Sequence, residues 1–192
     1  MTAQARPALI DWRRAWTDDA RQLVAVLLVA ALAIVIGYGV KTYSQSQTRT
    51  VTAGNVTAQI PTTWIFQPGV QDLLFTAVDP RNPGQRYSVS RPSAGGNDVN
   101  AVADATAAAK SQLLSEFGVL RRDATTVNGT SAPSVTYTYV TTRNGQLPQV
   151  IEGRDVFIKG SGGILVVTFE SPSRSFDNAL STFERFAASV RG

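Results

Sequence analysis

Apolar residues along this chain first gather into one unbroken run, Leu23–Val40, eighteen positions without a charge. At 1.5 Å rise per residue such a run makes a helix of about 27 Å, close to the hydrocarbon thickness of a bilayer. Ahead of it, Trp12 and Trp16 stand four apart beside Arg13 and Arg14. On a helix they share a face, and indole rings next to arginines suit the membrane–water interface. Within the run, Ala30, Ala33 and Gly37 form a strip of small side chains against which another membrane helix can pack. From 41 to 55 the pattern dissolves into polar residues rich in Ser, Thr and Gln, which reads as a linker, so folded structure is expected from about Val56.

Beyond the linker, short alternating stretches read as strands. Residues 55–60, closed by Pro61, and 73–78 are two of them, and the turn formers of 79–84 bring 86–90 back as a hairpin arm. The period then changes. Val99, Val102, Thr106, Ala109, Leu113 and Phe117 recur every three or four residues, which predicts a helix with Asn97 or Asp98 as its cap and Gly118 as its stop. Residues 119–127 and 134–141 flank Asn128-Gly129, and Asn144-Gly145 leads to 149–159; both dipeptides are strong hairpin signals. In the second of these strands Val135, Tyr137 and Tyr139 alternate with threonines, as one buried face requires. The glycine-rich turn 160–163 precedes a strand over 164–169. After Pro172, Ser173 or Ser175 can cap a closing helix lined by Phe176, Leu180, Phe183, Ala187 and Val190. The predicted class is α+β: an antiparallel sheet sandwiched by helices and preceded by one transmembrane helix. The chain divides into a cytoplasmic segment with an interfacial helix (1–21), a membrane helix (22–40), a linker (41–55) and an extracytoplasmic domain (56–192).

Charge supplies the orientation. Arg6, Arg13, Arg14 and Arg21 precede the apolar run, and only Lys41 and Arg49 follow it closely, so the positive-inside bias keeps the N-terminus in the cytoplasm. A cleaved secretory signal is the competing reading, but the run is long for a signal core, and Lys41-Thr42-Tyr43-Ser44 offers no small-x-small cleavage site. The chain has no cysteine and no histidine, which removes disulfide staples, the commonest general base and the commonest metal ligand. A net charge of +4 spread over 192 residues gives no reason to expect nucleic acid.

Several stretches in order carry a family resemblance: the corner Ile60-Pro61-Thr62-Thr63-Trp64, the strand Leu73-Leu74-Phe75-Thr76-Ala77-Val78 with Asp79-Pro80, Tyr87-Ser88-Val89-Ser90, the Tyr137-Thr138-Tyr139 strand, Gly153-Arg154, the strand end Val166-Val167-Thr168-Phe169-Glu170-Ser171, and the closing amphipathic helix. Together they resemble the PsbP family, the extrinsic lumenal proteins of photosystem II and their bacterial relatives, over about 56–190. The resemblance implies a non-catalytic α/β/α sandwich that docks on a larger assembly. A membrane span and the absence of a lipobox cysteine depart from that family, and without histidine no histidine-mediated contact carries over.

No motif supplies chemistry of its own. Gly160-Ser161-Gly162-Gly163 lacks the lysine and the following helix of a phosphate loop. Glu152 and Asp155 are an odd number apart on a strand and face opposite ways, whereas Glu170 and Asp177 are placed to converge near the start of the last helix. Serines have no histidine to activate them. Arg81, Arg86, Arg91, Arg121 and Arg122 remain as docking candidates for an acidic partner or anionic headgroups. The expectation is an accessory or assembly subunit of a membrane complex, with no catalytic residue, metal or cofactor. The alternative is a small-molecule or lipid-binding module with an apolar pocket near Trp64, Phe75 or Phe157.

Overall fold

A computed structural model describes residues 12–93, 96–142 and 147–192, and within the first helix the side chains of 23–40 only. The Trp12 and Trp16 side chains and the Asn144-Gly145 turn therefore lie outside the described residues. The chain divides into two units, which part between Ser46 and Gln47.

The first unit is α1 (Trp12–Ser46), a helix that contains the apolar run. Every described side chain from Leu23 to Val40 is exposed, including the Ala30, Ala33 and Gly37 strip, where a Cβ added to Gly37 would meet nothing within 4 Å. Fifteen aliphatic side chains and Tyr38 left in water are an unfavourable surface that a bilayer would remove.

The second unit begins one residue after α1, and here the linker expectation is corrected. Thr48–Ala53 is a strand, β1, paired in register with β2 (Val56–Pro61). Its half-buried Val51 and Ala53 pack on the core. Only those two of its six residues touch the interior, so its sequence carries almost no alternation to read. The remaining strands form one antiparallel sheet in the order β3 (Ile65–Pro68), β4 (Leu73–Val78), β5 (Arg86–Ser90), β9 (Gly163–Pro172), β8 (Gln149–Gly160), β7 (Thr130–Thr141), β6 (Gly118–Val127). The β6–β7 turn is as the sequence predicts: Asn128 and Gly129 both take positive φ, 52° and 78°, as a two-residue hairpin requires. β3 follows the Trp64 corner directly, and its four mostly exposed residues carry no alternation to mark it.

Helices cover both faces. α3 (Ser173–Ser189) buries Phe176, Phe183, Phe186 and Ala187 against one face, where Tyr87 stacks on Phe186 with ring centroids 4.4 Å apart and Trp64 lies 4.3 Å from Tyr87. Burial of each of these phenylalanines is worth about 1.5–3 kcal/mol. Neither serine caps α3: Pro172 holds the cap position, and the Ser175 hydroxyl donates to its carbonyl at 3.0 Å. α2 (Val99–Leu113) covers the other face through Val102 and Ala103, with Asp98 accepting from the Asn100 N–H at 2.9 Å as its cap. It ends earlier than the spacing predicts. Leu114 turns extended, Glu116 takes φ 53°, and Leu113 is 82% exposed while Leu114 and Phe117 pack on Tyr137 and Tyr139. Because both faces are covered, Ser134 and Thr136 are buried together with Val135 and Tyr137.

Register decides which turns share an end of the sheet. Val78 pairs with Arg86, Arg86 with Glu170, Ile151 with Pro172 and Thr141 with Gln149. Gln47 belongs to the same end, since its carbonyl accepts from the Thr62 N–H at 3.0 Å just before Trp64 and β3. At the opposite end Thr57 and Arg191 exchange backbone bonds of 2.8 and 2.9 Å, and Ser161 N–H donates to Gly192 O at 2.8 Å.

Candidate functional site

The largest concentration of polar chemistry lies under α2. Lys110 interrupts the buried face of that helix, and its Nζ reaches Asp155 Oδ1 and Oδ2 on β8 at 2.8 and 2.7 Å and the Tyr137 hydroxyl on β7 at 2.7 Å. Tyr137 in turn donates to Glu170 Oε1 on β9 at 2.9 Å, and Thr168 donates to Asp155 Oδ1 at 2.7 Å. Glu170 closes the chain by accepting from Arg86 Nε on β5, and Arg86 Nη2 lies 3.4 Å from the Tyr139 hydroxyl. Two cations thus meet two carboxylates, and the network is neutral.

Backbone geometry makes room for it. Gly153 stands across from Tyr137, and a Cβ there would be 2.3 Å from Tyr137 Cζ, so only glycine lets the ring lie flat over β8. Burial pushes the Tyr137 phenol well above its ordinary range, with Asp155 and Glu170 adding to the effect. Burial, and then Glu170, pushes Tyr139 up to about 12. For Arg86, burial opposes the charge, but Glu170 with smaller contributions from Tyr139 and Tyr137 together outweigh it, and the pKa is raised. Both phenols are therefore neutral donors at ordinary pH, and the arginine is fixed as a cation. This arrangement holds α2 to the sheet.

A second polar group lies on the α3 face. Arg154 donates to Ser134 Oγ at 3.2 Å and lies 3.5 Å from Asp123 and 4.0 Å from Glu184. Its Nε and the hydroxyl of Thr136, directly across the ladder, are buried with no hydrogen-bond partner among the described residues. Glu152 points to this face and Asp155 to the other, as the strand parity predicts. Glu170 and Asp177 do not converge. Glu170 points under α2, while Asp177 on α3 neighbours Glu152, whose pKa burial and Asp177 raise.

The five candidate arginines are spread over the domain. Arg86 serves the α2 network; Arg91 donates to Asn55 Oδ1 at 3.0 Å; Arg121 pairs with Asp123 at 2.9 Å and Arg122 with Asp104 at 2.6 Å. Arg81 is exposed on the β4–β5 turn. Arg86 on β5 and the pair on β6 are four strand spacings apart, about 19 Å, so the five do not form one patch.

Two cavities open at the surface. One, of about 300 Å³, lies beside the start of α2 and is lined by Val99, Val127, Ala132, Phe157 and Ile158 with Lys159. Of the three aromatics expected at a pocket, Phe157 is the one found here; Trp64 and Phe75 are packed into the α3-side core. The other, of about 410 Å³, is an open depression between β8 and the start of α3.

No family model matches this chain, and no curated protein does. Among solved structures it is similar to PsbP of the cyanobacterium Synechocystis, with 17% identity and a TM-score of 0.48 over 76% of this chain and 91% of that one. It is also similar to the Ran-binding protein Mog1p of Saccharomyces cerevisiae (15%, TM-score 0.48, 74% and 88%). A third is LpqN of Mycobacterium tuberculosis, involved in cell envelope biogenesis (16%, TM-score 0.47, 76% and 90%). These are similarities of fold, and they include the PsbP-like architecture that the sequence resembles.

Proposed function

We propose that this chain is a single-pass membrane protein whose extracytoplasmic α/β/α domain serves, without catalysis, as an accessory or assembly subunit of a larger membrane complex. The observation that carries the reading is the exposed apolar surface of Leu23–Val40, joined through one intervening residue after α1 to a domain whose buried carboxylates, Asp155 and Glu170, are each paired with a cation. A helix of that length and hydropathy supports membrane residence, and tethering would hold the domain near a partner at high effective concentration. Arg81, exposed on its turn and with no side-chain partner among the described residues, is open to an acidic partner in this reading, whereas Arg86, Arg91, Arg121 and Arg122 would each have to leave a partner within the chain.

Native membranes solubilised in mild detergent and run on a native gel test it. Migration in a discrete large complex, with partners named by mass spectrometry, is the expected result, and migration alone near 20.5 kDa plus detergent contradicts it. The cavity lined by Phe157 supports a second reading, a module for a small apolar ligand bearing an acidic group that Lys159 would meet. Extraction of a ligand from the purified protein would favour that reading.

A further inference from the structure

Register gathers the exposed apolar side chains of the folded unit at one end. Ile65, Leu113, Val119, Leu120, Leu147 and Val150 stand at the end where the chain enters at Gln47, whereas Val70 and Leu73 stand at the other. Folding alone does not require this, because the buried core extends to both ends of the sheet. Among these side chains Leu120 on β6 and Leu147 and Val150 at the start of β8 lie within two strand spacings, about 10 Å, and large exposed apolar groups gathered in this way mark a contact. The open depression of about 410 Å³ lies at the same end, walled by Leu147, Pro148, Val150 and Pro172. Arg174, exposed in the first turn of α3, stands on its rim.

Covalent connection limits what can cover this surface. Residues 41–47 are all that separate Val40 from β1, and even fully extended they reach only about 25 Å. The surface of any bilayer crossed by the apolar run is therefore within reach of this end.

We infer that this end of the domain rests on the surface of a phospholipid bilayer. Leu147, Val150 and Leu120 enter the headgroup region, and Arg174 meets a lipid phosphate, for which its planar pair of donors is suited. Glu116 and Glu152 at the same end rule out a purely basic patch, so apolar insertion supplies most of the contact and added salt weakens it little. The inference rests on the membrane-anchor reading above.

Because the chain has no cysteine, one introduced cysteine is a unique label site. The full chain, one copy per lipid nanodisc of phosphatidylcholine and phosphatidylglycerol, would carry a polarity-sensitive fluorophore at Leu147→Cys, Leu120→Cys, Val70→Cys or Val29→Cys, and iodide quenching would be read at each. Expected is quenching at least about threefold weaker at 147 and 120 than at 70, as for groups sunk into the interface. Equal quenching at 147, 120 and 70 with position 29 protected overturns the docking and leaves the anchor standing. Free quenching at position 29 removes the anchor, and the docking with it. Arg174→Gln combined with Val150→Glu should raise quenching at 120 to the level at 70; unchanged protection there overturns the assignment to this surface.

Discussion

Lys110 would be out of place on the buried face of α2 were it not for Asp155, which is 2% exposed and has both carboxylate oxygens within 2.8 Å of its Nζ. Removing one partner leaves the other buried and uncompensated. Lys110→Met should therefore cost about 3 kcal/mol in urea unfolding, and adding Asp155→Leu should recover at least about half of it, a pattern that a simple loss of packing would not give. Gly153→Ala should cost about 1–3 kcal/mol or more, because its methyl group collides with the Tyr137 ring. Tyr139 sets an alkaline limit. Its phenol has a folded-state pKa of about 12 against an ordinary 10, so the native state holds that proton more tightly than the unfolded chain. Its contribution is complete below pH 10 and is lost as the pH rises through 12, and urea unfolding below and above pH 10 should show stability falling in that window.

α2 shows how periodicity can locate a helix and still misplace one of its positions. The stripe Val99, Val102, Thr106 was legible, but the face continues through Lys110 to Leu114 and leaves Leu113 in solvent. A lysine is read as polar and therefore as outward, so the apolar pattern shifted by one residue. Leu113→Gln should change stability by less than about 0.5 kcal/mol, whereas Val102→Ala, at a fully buried site, should cost about 1–3 kcal/mol; chemical denaturation of both variants checks this. The hairpins and α3 were legible because Asn128-Gly129 and the phenylalanine spacing act locally. β1 and β3 were not, because their few buried side chains gain meaning only from a partner strand or from the core. The polar network was hidden for the same reason: Lys110, Tyr137, Asp155 and Glu170 come from four separate elements, and only strand pairing brings them together.

The second unit begins at β1, which fixes where the chain can be cut. A chain beginning at Gln47 keeps the β1–β2 ribbon and its packing of Val51 and Ala53, whereas one beginning at Asn55 loses both. The longer piece should unfold cooperatively, and the shorter should be about 2–4 kcal/mol less stable from the lost apolar burial and unpaired edge of β2; thermal unfolding followed by circular dichroism compares them.

β9 is the fourth of seven strands, the buried spine on which both halves of the sheet are hung, and its partner β5 was made 84 residues earlier at the Arg86–Glu170 pair. The order of synthesis therefore runs against the order of assembly. β3, β4 and β5 must wait without their central neighbour until β9 has been made. For that interval an unpaired β5 edge and the aromatic side chains of the α3-side core stand open, and contacts so distant in sequence form slowly. The nascent chain is thus most vulnerable to aggregation and proteolysis just before β9 arrives, and a chaperone would serve it during that interval.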